Sequence, residues 1–331
     1  MNIAEIAKMA GVSSAAVSRY FNNGYISESK RDAIREVVEK TGYRPSVQAQ
    51  TLRTKKTMLV GVIIPKAASS AMGKMVEGIL SVLNESGYRM LLAVTLNDPE
   101  KEVEYLRTFD QKQVDGIILA ATIFTEEHRK ALNDLKVPVV IVGQQVDGFA
   151  CVYHDDYHAI YELTDRVLRN GHQNLGFLSA TQEDKAAGAE RYRGFCDAMR
   201  DHGKEDMQKA YVTAAFRFES GYEKAEELLK EYPDLDGIIC ATDEIAAGAQ
   251  QYLKEHEEFA GRDMIVTGQG DSRLSKVTYP TIPTIHYYYY ESGRQAVQIL
   301  MTELNGKEDD KAVIQREIKL GYEIVTHGIN I

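Results

Sequence analysis

The sequence predicts an all-α N-terminal headpiece of the helix-turn-helix type followed by an α/β core of two lobes. Three observations predict this fold class. Short amphipathic segments separated by a glycine occupy the first 44 residues, strand-like and helical segments alternate from Met58 onward, and the two regions carry opposite net charge. Strand–helix alternation gives parallel sheets with helices on both faces, so two similar series predict two doubly wound lobes.

The first two predicted helices are joined by a glycine turn. The apolar face of the first consists of Ile3, Ile6, Ala7 and Ala10. Gly11 then breaks the chain, and Ser13 is a good N-cap for the second helix. On that helix Val17, Tyr20 and Phe21 are spaced i, i+3 and i+4, so one face is predicted to be buried. This pattern describes a helix-turn-helix.

A third helix is predicted over about residues 28–41. Ser27 can cap it, Gly42 ends it, and its apolar stripe consists of Ile34, Val37 and Val38.

The charge distribution favours contact with nucleic acid. Residues 1–56 hold ten Lys or Arg side chains and five acidic ones, a net of +5, whereas the whole chain carries −10 and the remainder therefore −15. A basic head on an acidic body is expected when only the head meets phosphate. The alternative is a small helical bundle with a solvated basic face.

The core pattern is read as a series of strands, each followed by a helix. Strands are predicted at 59–64, 90–94, 116–120, 137–142, 175–179, 210–213, 237–240 and 264–267, with a strand-like segment near 313–325. Helices are predicted at 72–86, 99–112, 125–134, 158–170, 187–202, 219–231, 243–255 and 289–304. Ligands of such lobes bind at the carboxyl ends of the strands, in the crevice between them.

Bulk properties narrow the function classes. The composition, with 44% hydrophobic and 27% charged residues, is that of a globular protein. We find no signal-peptide pattern and no apolar run of roughly 18 residues, so no membrane span is expected. Cys151, Cys196 and Cys240 lack metal-ligand spacing and indicate a reducing compartment. We therefore expect a cytoplasmic protein without metal or cofactor.

The whole chain resembles the LacI/GalR family of bacterial transcription regulators. The most specific match is Val12-Ser13-x-x-x-Val17-Ser18-Arg19-x-x-Asn22, then Ser27, then Gly42-Tyr43-x-Pro45-x-x-x-Ala49-x-x-Leu52-Arg53. Ala16 departs from it, because the family usually has Thr there. The core resembles a periplasmic-binding-protein core, most like those of trehalose- and sucrose-operon repressors. Its matching segments are 149–156, 240–249 and 292–296 for the trehalose type, and 268–272 and 286–290 for the sucrose type.

The resemblance implies a division of the chain and a set of DNA contacts. The headpiece is expected at 1–44, a hinge helix and linker at 45–57, and the core at 58–331. Lobe 1 is expected at about 58–156 and 286–308, and lobe 2 at about 157–285 and 309–331. A homodimer, or a larger even assembly, would bind a pseudo-palindromic operator, with the hinge helix folding on the DNA and entering the minor groove. The DNA-contacting residues are expected to be Ser14, Ala15, Ser18, Arg19, Asn22, Ala49 and Leu52.

The effector residues are expected around the interlobe crevice. The candidates are Lys66, Ser69, Gln144, Arg191, Phe216, Thr242, Asp243, Asp271 and Tyr289. Lys66 beside Ser69 could hold a sugar phosphate, and the planar fork of Arg191 suits two adjacent hydroxyl oxygens. Phe216 would stack on a sugar ring. The alternatives are a solvent-facing Lys66, core packing of Phe216, and an Asp243 that only caps the next helix.

Two other functional classes compete with a sugar-responsive repressor. A regulator sensing a non-sugar metabolite, such as a purine, would share the same fold. A sugar-binding protein without a DNA function would need no headpiece. An enzyme is disfavoured because the sequence contains no Gly-x-Gly-x-x-Gly, Walker or His-Glu-x-x-His motif and no assignable catalytic residues. The leading hypothesis is a homodimeric repressor of a sugar operon, controlled by a disaccharide or a disaccharide phosphate.

Overall fold

The computed structural model describes residues 1–22, 24–43, 56–111, 114–306 and 317–331. The chain divides into two compact units, Met1–Thr57 and Met58–Ile331. Within the described residues, no helix is long and apolar enough to cross a membrane.

The N-terminal unit contains the three predicted helices, α1 (Ile3–Met9), α2 (Ser14–Phe21) and α3 (Glu28–Thr41). Asn2 and Glu5 form a reciprocal capping box at the start of α1, and the Ser13 hydroxyl accepts from the Ala16 amide at the start of α2. Gly42 ends α3 with φ at 63°, a left-handed conformation that glycine adopts at little cost. The prediction for Ser27 is only partly right, because it occupies the N-cap of α3 but its side chain makes no capping bond.

The core of this unit is small and apolar. Its buried residues are Ile6, Ala7, Ala16, Val17 and Ile34, with the Tyr20, Phe21 and Tyr43 rings packed around them. Ala16 is 6% exposed. The methyl group at this position therefore belongs to the core of the headpiece.

The first core sheet is fully parallel and has the strand order β11-β5-β4-β3-β1-β2. Its strands are β1 (Leu59–Ile64), β2 (Arg89–Val94), β3 (Gly116–Leu119), β4 (Val139–Val142), β5 (Ala150–His154) and β11 (Glu317–Leu320). Helices cover both faces, which suits the continuously apolar central strands. They are α4 (Ser70–Glu85), α5 (Pro99–Asp110), α6 (Glu126–Asp134) and α12 (Tyr289–Asn305).

The second core sheet has the order β12-β10-β9-β8-β6-β7 and is parallel except for the β10–β12 pair. Its strands are β6 (Leu175–Ser179), β7 (Tyr211–Thr213), β8 (Gly237–Cys240), β9 (Ile265–Gln269), β10 (Thr284–Tyr287) and β12 (Tyr322–Val325). Its helices are α7 (Asp156–Arg169), α8 (Arg191–Asp201), α9 (Phe218–Glu231), α10 (Asp243–Glu255) and the short α11 (Arg273–Val277). One turn of π-helix (Lys185–Glu190) precedes α8, and two short 3₁₀ segments occupy Glu205–Lys209 and Glu257–Phe259.

The structure corrects the expected lobe boundaries. The segment 309–331 was expected in lobe 2, but β11 pairs in parallel with β5 in the first sheet and only β12 joins the second. The boundary expected after residue 285 falls inside β10, which lies wholly in the second sheet. Strands β5 and β10 had no predicted counterpart. These strands are only four or five residues long, so each gives a weak periodic signal.

Candidate functional site

The exposed face of α2 carries the headpiece residues predicted to contact DNA. Ser14, Ala15, Arg19 and Asn22 are exposed, and Ser18 is half-buried. Arg19 makes no ion pair among the described residues, so its guanidinium is available to a partner. The Asn22 amide donates to the Ser18 carbonyl at 2.5 Å. The predicted contacts Ala49 and Leu52, and the hinge helix that carries them, lie outside the described residues.

A cleft between the two core lobes encloses about 1230 Å³ of empty space, part of it open to solvent. Seven of the nine predicted effector residues line it: Lys66, Ser69, Arg191, Phe216, Thr242, Asp243 and Tyr289. They meet there because they follow the carboxyl ends of parallel strands or lie at a crossing between the lobes. Lys66 follows β1, for example, and Thr242 follows β8.

Arg191 is held at the floor of the cleft by a buried ion pair. Its Nε and one terminal nitrogen lie 2.8 and 2.7 Å from Asp156 Oδ1, and its other terminal nitrogen donates to the Ala241 carbonyl at 2.8 Å. The guanidinium carbon lies 5.1 Å from the centre of the Tyr287 ring. At least three of its five N–H groups are thus in use, and Tyr289 is a further hydrogen-bond partner, so at most two are left for a ligand.

Thr242 and Asp243 have different local roles. The Thr242 hydroxyl caps α10 by accepting from the Ile245 amide at 3.2 Å. The Asp243 carboxylate accepts from Thr284 Oγ1 at 2.5 Å and from the Ser272 amide at 2.6 Å. Burial raises the pKa of Asp243, and these two hydrogen bonds oppose that rise. The alternative in which Asp243 is the helix cap is therefore not what the structure has, because Thr242 occupies that position.

Two lysines of the first lobe reach across to backbone carbonyls of the second. Lys66 Nζ donates to the Phe216 carbonyl at 2.8 Å, and Lys74 Nζ lies 3.2 Å from the Asp271 carbonyl oxygen. The Phe216 side chain is half-buried beside the cleft, and Ser69 caps α4. The two lysine contacts join the two lobes.

Gln144 and Asp271 do not line the cleft. The Gln144 amide is buried and donates to the Ala121 and Thr122 carbonyls at 2.8 and 3.2 Å, so it holds the loop after β3. The Asp271 carboxylate turns to Lys276 at 3.0 Å and to His286 at 2.9 Å.

Sequence reasoning missed several buried polar residues of the cleft. Asp184, at the N-cap of the π-turn, accepts from the Ala187 amide at 2.9 Å, and burial raises its pKa to about 6. His154 ends the unpredicted strand β5, and burial lowers its pKa to about 4. Gln269, at the end of β9, accepts from the Tyr287 hydroxyl at 2.9 Å. A polar residue at a strand's carboxyl end was the available signal for His154 and Gln269. Asp184 lies in a loop that gave none.

Two family models together cover nearly the whole chain. Residues 2–46 match the model described as bacterial regulatory proteins, lacI family, and residues 57–322 match the model described as periplasmic binding proteins and sugar binding domain of LacI family. The sucrose operon repressor of Staphylococcus xylosus is 34% identical over 317 residues, which cover 96% of this chain and 97% of that protein.

Solved structures are also similar to this chain. A lac repressor dimer bound to operator and an anti-inducer covers 98% of both chains, with a TM-score of 0.86 and 20% identity, and so shares the fold. The trehalose repressor of Escherichia coli has a TM-score of 0.69 and 25% identity, over 81% of this chain and 99% of that one.

Proposed function

The chain belongs to the LacI family of bacterial regulatory proteins, and from that premise we propose that it represses a sugar-utilisation operon by binding its operator. A disaccharide or a disaccharide phosphate in the interlobe cleft would control operator affinity. The family assignment makes the chain a DNA-binding regulator and not an enzyme. A protein that acts on operator DNA works in the cytoplasm, which is the location we propose.

The observation that carries the proposal is the pairing of two features in one chain. A helix-turn-helix unit exposes a polar face whose arginine forms no ion pair within the described part of the chain, and a core of two lobes holds a cleft lined from both sides. Ser14, Ala15 and Arg19 would contact base edges in the major groove, while Ser18 and Asn22 support their placement. We assign residues 45–53 to a hinge helix, with Ala49 and Leu52 in the minor groove.

The effector would act through the angle between the lobes. A ligand bound by Arg191 and Thr242 on one side and by Lys66 on the other favours one closure state. The ligand changes operator affinity only to the extent that it binds the two closure states of the lobes with different affinity. We expect induction, that is, release from DNA when sugar binds.

The protein would act as a homodimer, and its exposed apolar residues offer a surface for this. Leu91 and Leu92 on the edge strand β2 are 38% and 41% exposed, and Leu96 follows them. In the second lobe Val277 and Tyr279 are 74% and 86% exposed. Large exposed apolar side chains of this kind mark association surfaces. A two-fold axis that buries both groups would align two headpieces on one palindromic site.

The experiment that tests the DNA assignment compares the full chain with a Met58–Ile331 fragment in an operator retardation assay. The fragment should keep its fold and sugar binding but should not retard operator. Specific retardation by the fragment would refute the assignment of DNA binding to the headpiece.

A further inference from the structure

The interlobe cleft holds few available cations. Among the described residues that line it, only Lys66 and Arg191 are permanently cationic. The Lys66 ammonium already donates to the Phe216 carbonyl, and Arg191 is paired with Asp156. A phosphate group entering the cleft would therefore meet only cations whose charge is already partly engaged, the Lys66 ammonium by a carbonyl and Arg191 by a carboxylate.

The same cleft is rich in carboxylates. Asp156, Asp184, Asp243 and Glu244 line it, twice as many acidic side chains as basic ones. Asp156 is balanced by Arg191, whereas the other three form no ion pair among the described residues. An anionic ligand in a partly enclosed, weakly screened site is repelled by such groups. Carboxylate oxygens, in contrast, are strong acceptors for ligand hydroxyls.

His154 adds a neutral acceptor to the inner wall. It is 7% exposed, its ring centre lies 5.2 Å from that of Tyr287 and 5.1 Å from that of Tyr289, and its Nε2 is buried with no partner among the described residues. A hydrogen bond to the Tyr288 backbone engages the ring. Since Nε2 has no partner, the ring bonds the Tyr288 carbonyl through its other nitrogen, Nδ1–H. In a neutral imidazole this leaves Nε2 as the acceptor.

We infer that the cleft selects an uncharged polyol, a non-phosphorylated disaccharide, and excludes sugar phosphates by charge. Ligand hydroxyls would donate to the carboxylates of Asp184 and Glu244, and one hydroxyl would reach His154 Nε2 when the lobes adjust around the ligand. The inference rests on the proposed function, because it specifies the effector of that same cleft. It decides against Lys66 as a phosphate-binding residue.

Calorimetry on the full chain tests this with matched pairs of probes: sucrose and sucrose 6-phosphate, and trehalose and trehalose 6-phosphate. At least one uncharged sugar is expected to bind ten or more times as tightly as its own phosphate. A phosphate that binds as tightly as its parent sugar, or more tightly, overturns the inference and leaves the repressor proposal intact. Binding of none of the four probes overturns the sugar-effector proposal together with the inference.

Two variants test the stated causes. Glu244→Gln should lower the ratio of the affinity for the uncharged sugar to the affinity for its phosphate at least threefold. The control Glu258→Gln removes the same charge from an exposed position on the 3₁₀ turn after α10 and should leave this ratio unchanged. An equal effect of both variants overturns exclusion by charge.

His154→Phe keeps a ring and removes the acceptor, so the uncharged sugar should bind about tenfold more weakly. The variant should stay folded with a melting temperature only a few degrees lower, since Nε2 has no partner among the described residues and only the bond to the Tyr288 carbonyl is lost. Unchanged affinity overturns the role of His154.

Discussion

The buried pair between Asp156 and Arg191 is expected to be a main stabilising contact of the second lobe, where it joins the first residues of α7 and α8. Asp156 is 5% exposed, and two guanidinium nitrogens converge on its Oδ1 at 2.8 and 2.7 Å. Removing one partner of a buried pair costs about 3–5 kcal/mol, because the other charge is left without compensation. Asp156→Asn keeps one carbonyl oxygen as an acceptor and the cation–π contact with Tyr287. We therefore expect the lower end of that range, about 3 kcal/mol.

Urea unfolding followed by far-UV circular dichroism measures this effect, since the chain has no tryptophan to report on unfolding. The matched control is Glu226→Gln, which removes a carboxylate from the exposed pair with Lys230 on α9. Exposed pairs contribute little to stability, so this variant should unfold like the parent. A loss below about 1 kcal/mol for Asp156→Asn would refute the reasoning, because Arg191 would then be compensated by groups other than Asp156.

The packing, the buried titratable groups and the exposed surface each predict a measurable effect. A Cβ at Gly188 would lie 1.9 Å from the Thr181 carbonyl oxygen. Gly188→Ala should therefore distort the π-turn that leads to Arg191 and abolish sugar binding in calorimetry. Sugar binding as tight as in the parent would contradict this. The pKa of His154 is about 4 in the folded chain and about 6.5 when unfolded. Its contribution to the free energy of unfolding is therefore fully present above pH 6.5 and is lost as the pH falls toward 4. Between pH 7 and pH 5 the free energy of unfolding of the parent should therefore fall by about 2 kcal/mol more than that of His154→Phe. Asp184 has the opposite effect, but it is present in both proteins and cancels in the comparison. An equal change in both proteins, measured by urea unfolding, would refute this. Leu92→Lys should dissociate the dimer in analytical ultracentrifugation, whereas Lys254→Glu on an exposed part of α10 should not. If the Leu92→Lys variant remained a dimer, the interface would not include β2.

The sequence predicted most helices and central strands because their periodic patterns are long. The bounds of α3, β1, β6 and α10 agree with the predicted ranges to the residue. Strand β5 was missed because its five residues merge with the turn before it. The segment near 313–325 was predicted as strand-like, but it forms two four-residue strands, β11 and β12, which Gly321 alone separates and which join different sheets. Local patterns do not record which sheet a short strand joins, since that depends on contacts distant in sequence.

The cleft was predicted in part for similar reasons. Lys66, Thr242 and Asp243 follow recognisable strands, and the topology rule places such residues at the crevice. Gln144 obeys the same rule, but its amide is consumed by two backbone carbonyls, which no sequence pattern indicates. Asp184 enters the cleft through a π-turn, an element that periodicity does not reveal. The pairing of Arg191 with Asp156 joins two helices and is likewise visible only in the structure.

The most direct test of the account is a single titration that links the two units. Full-length protein is bound to operator DNA in a fluorescence anisotropy assay, and sucrose or trehalose is then added. We predict that the sugar that binds the cleft in calorimetry releases the specific operator complex, and that Arg19→Ala prevents formation of that complex while leaving the sugar affinity unchanged. A sugar that binds the cleft but leaves operator affinity unaltered would contradict the proposal that the cleft controls DNA binding.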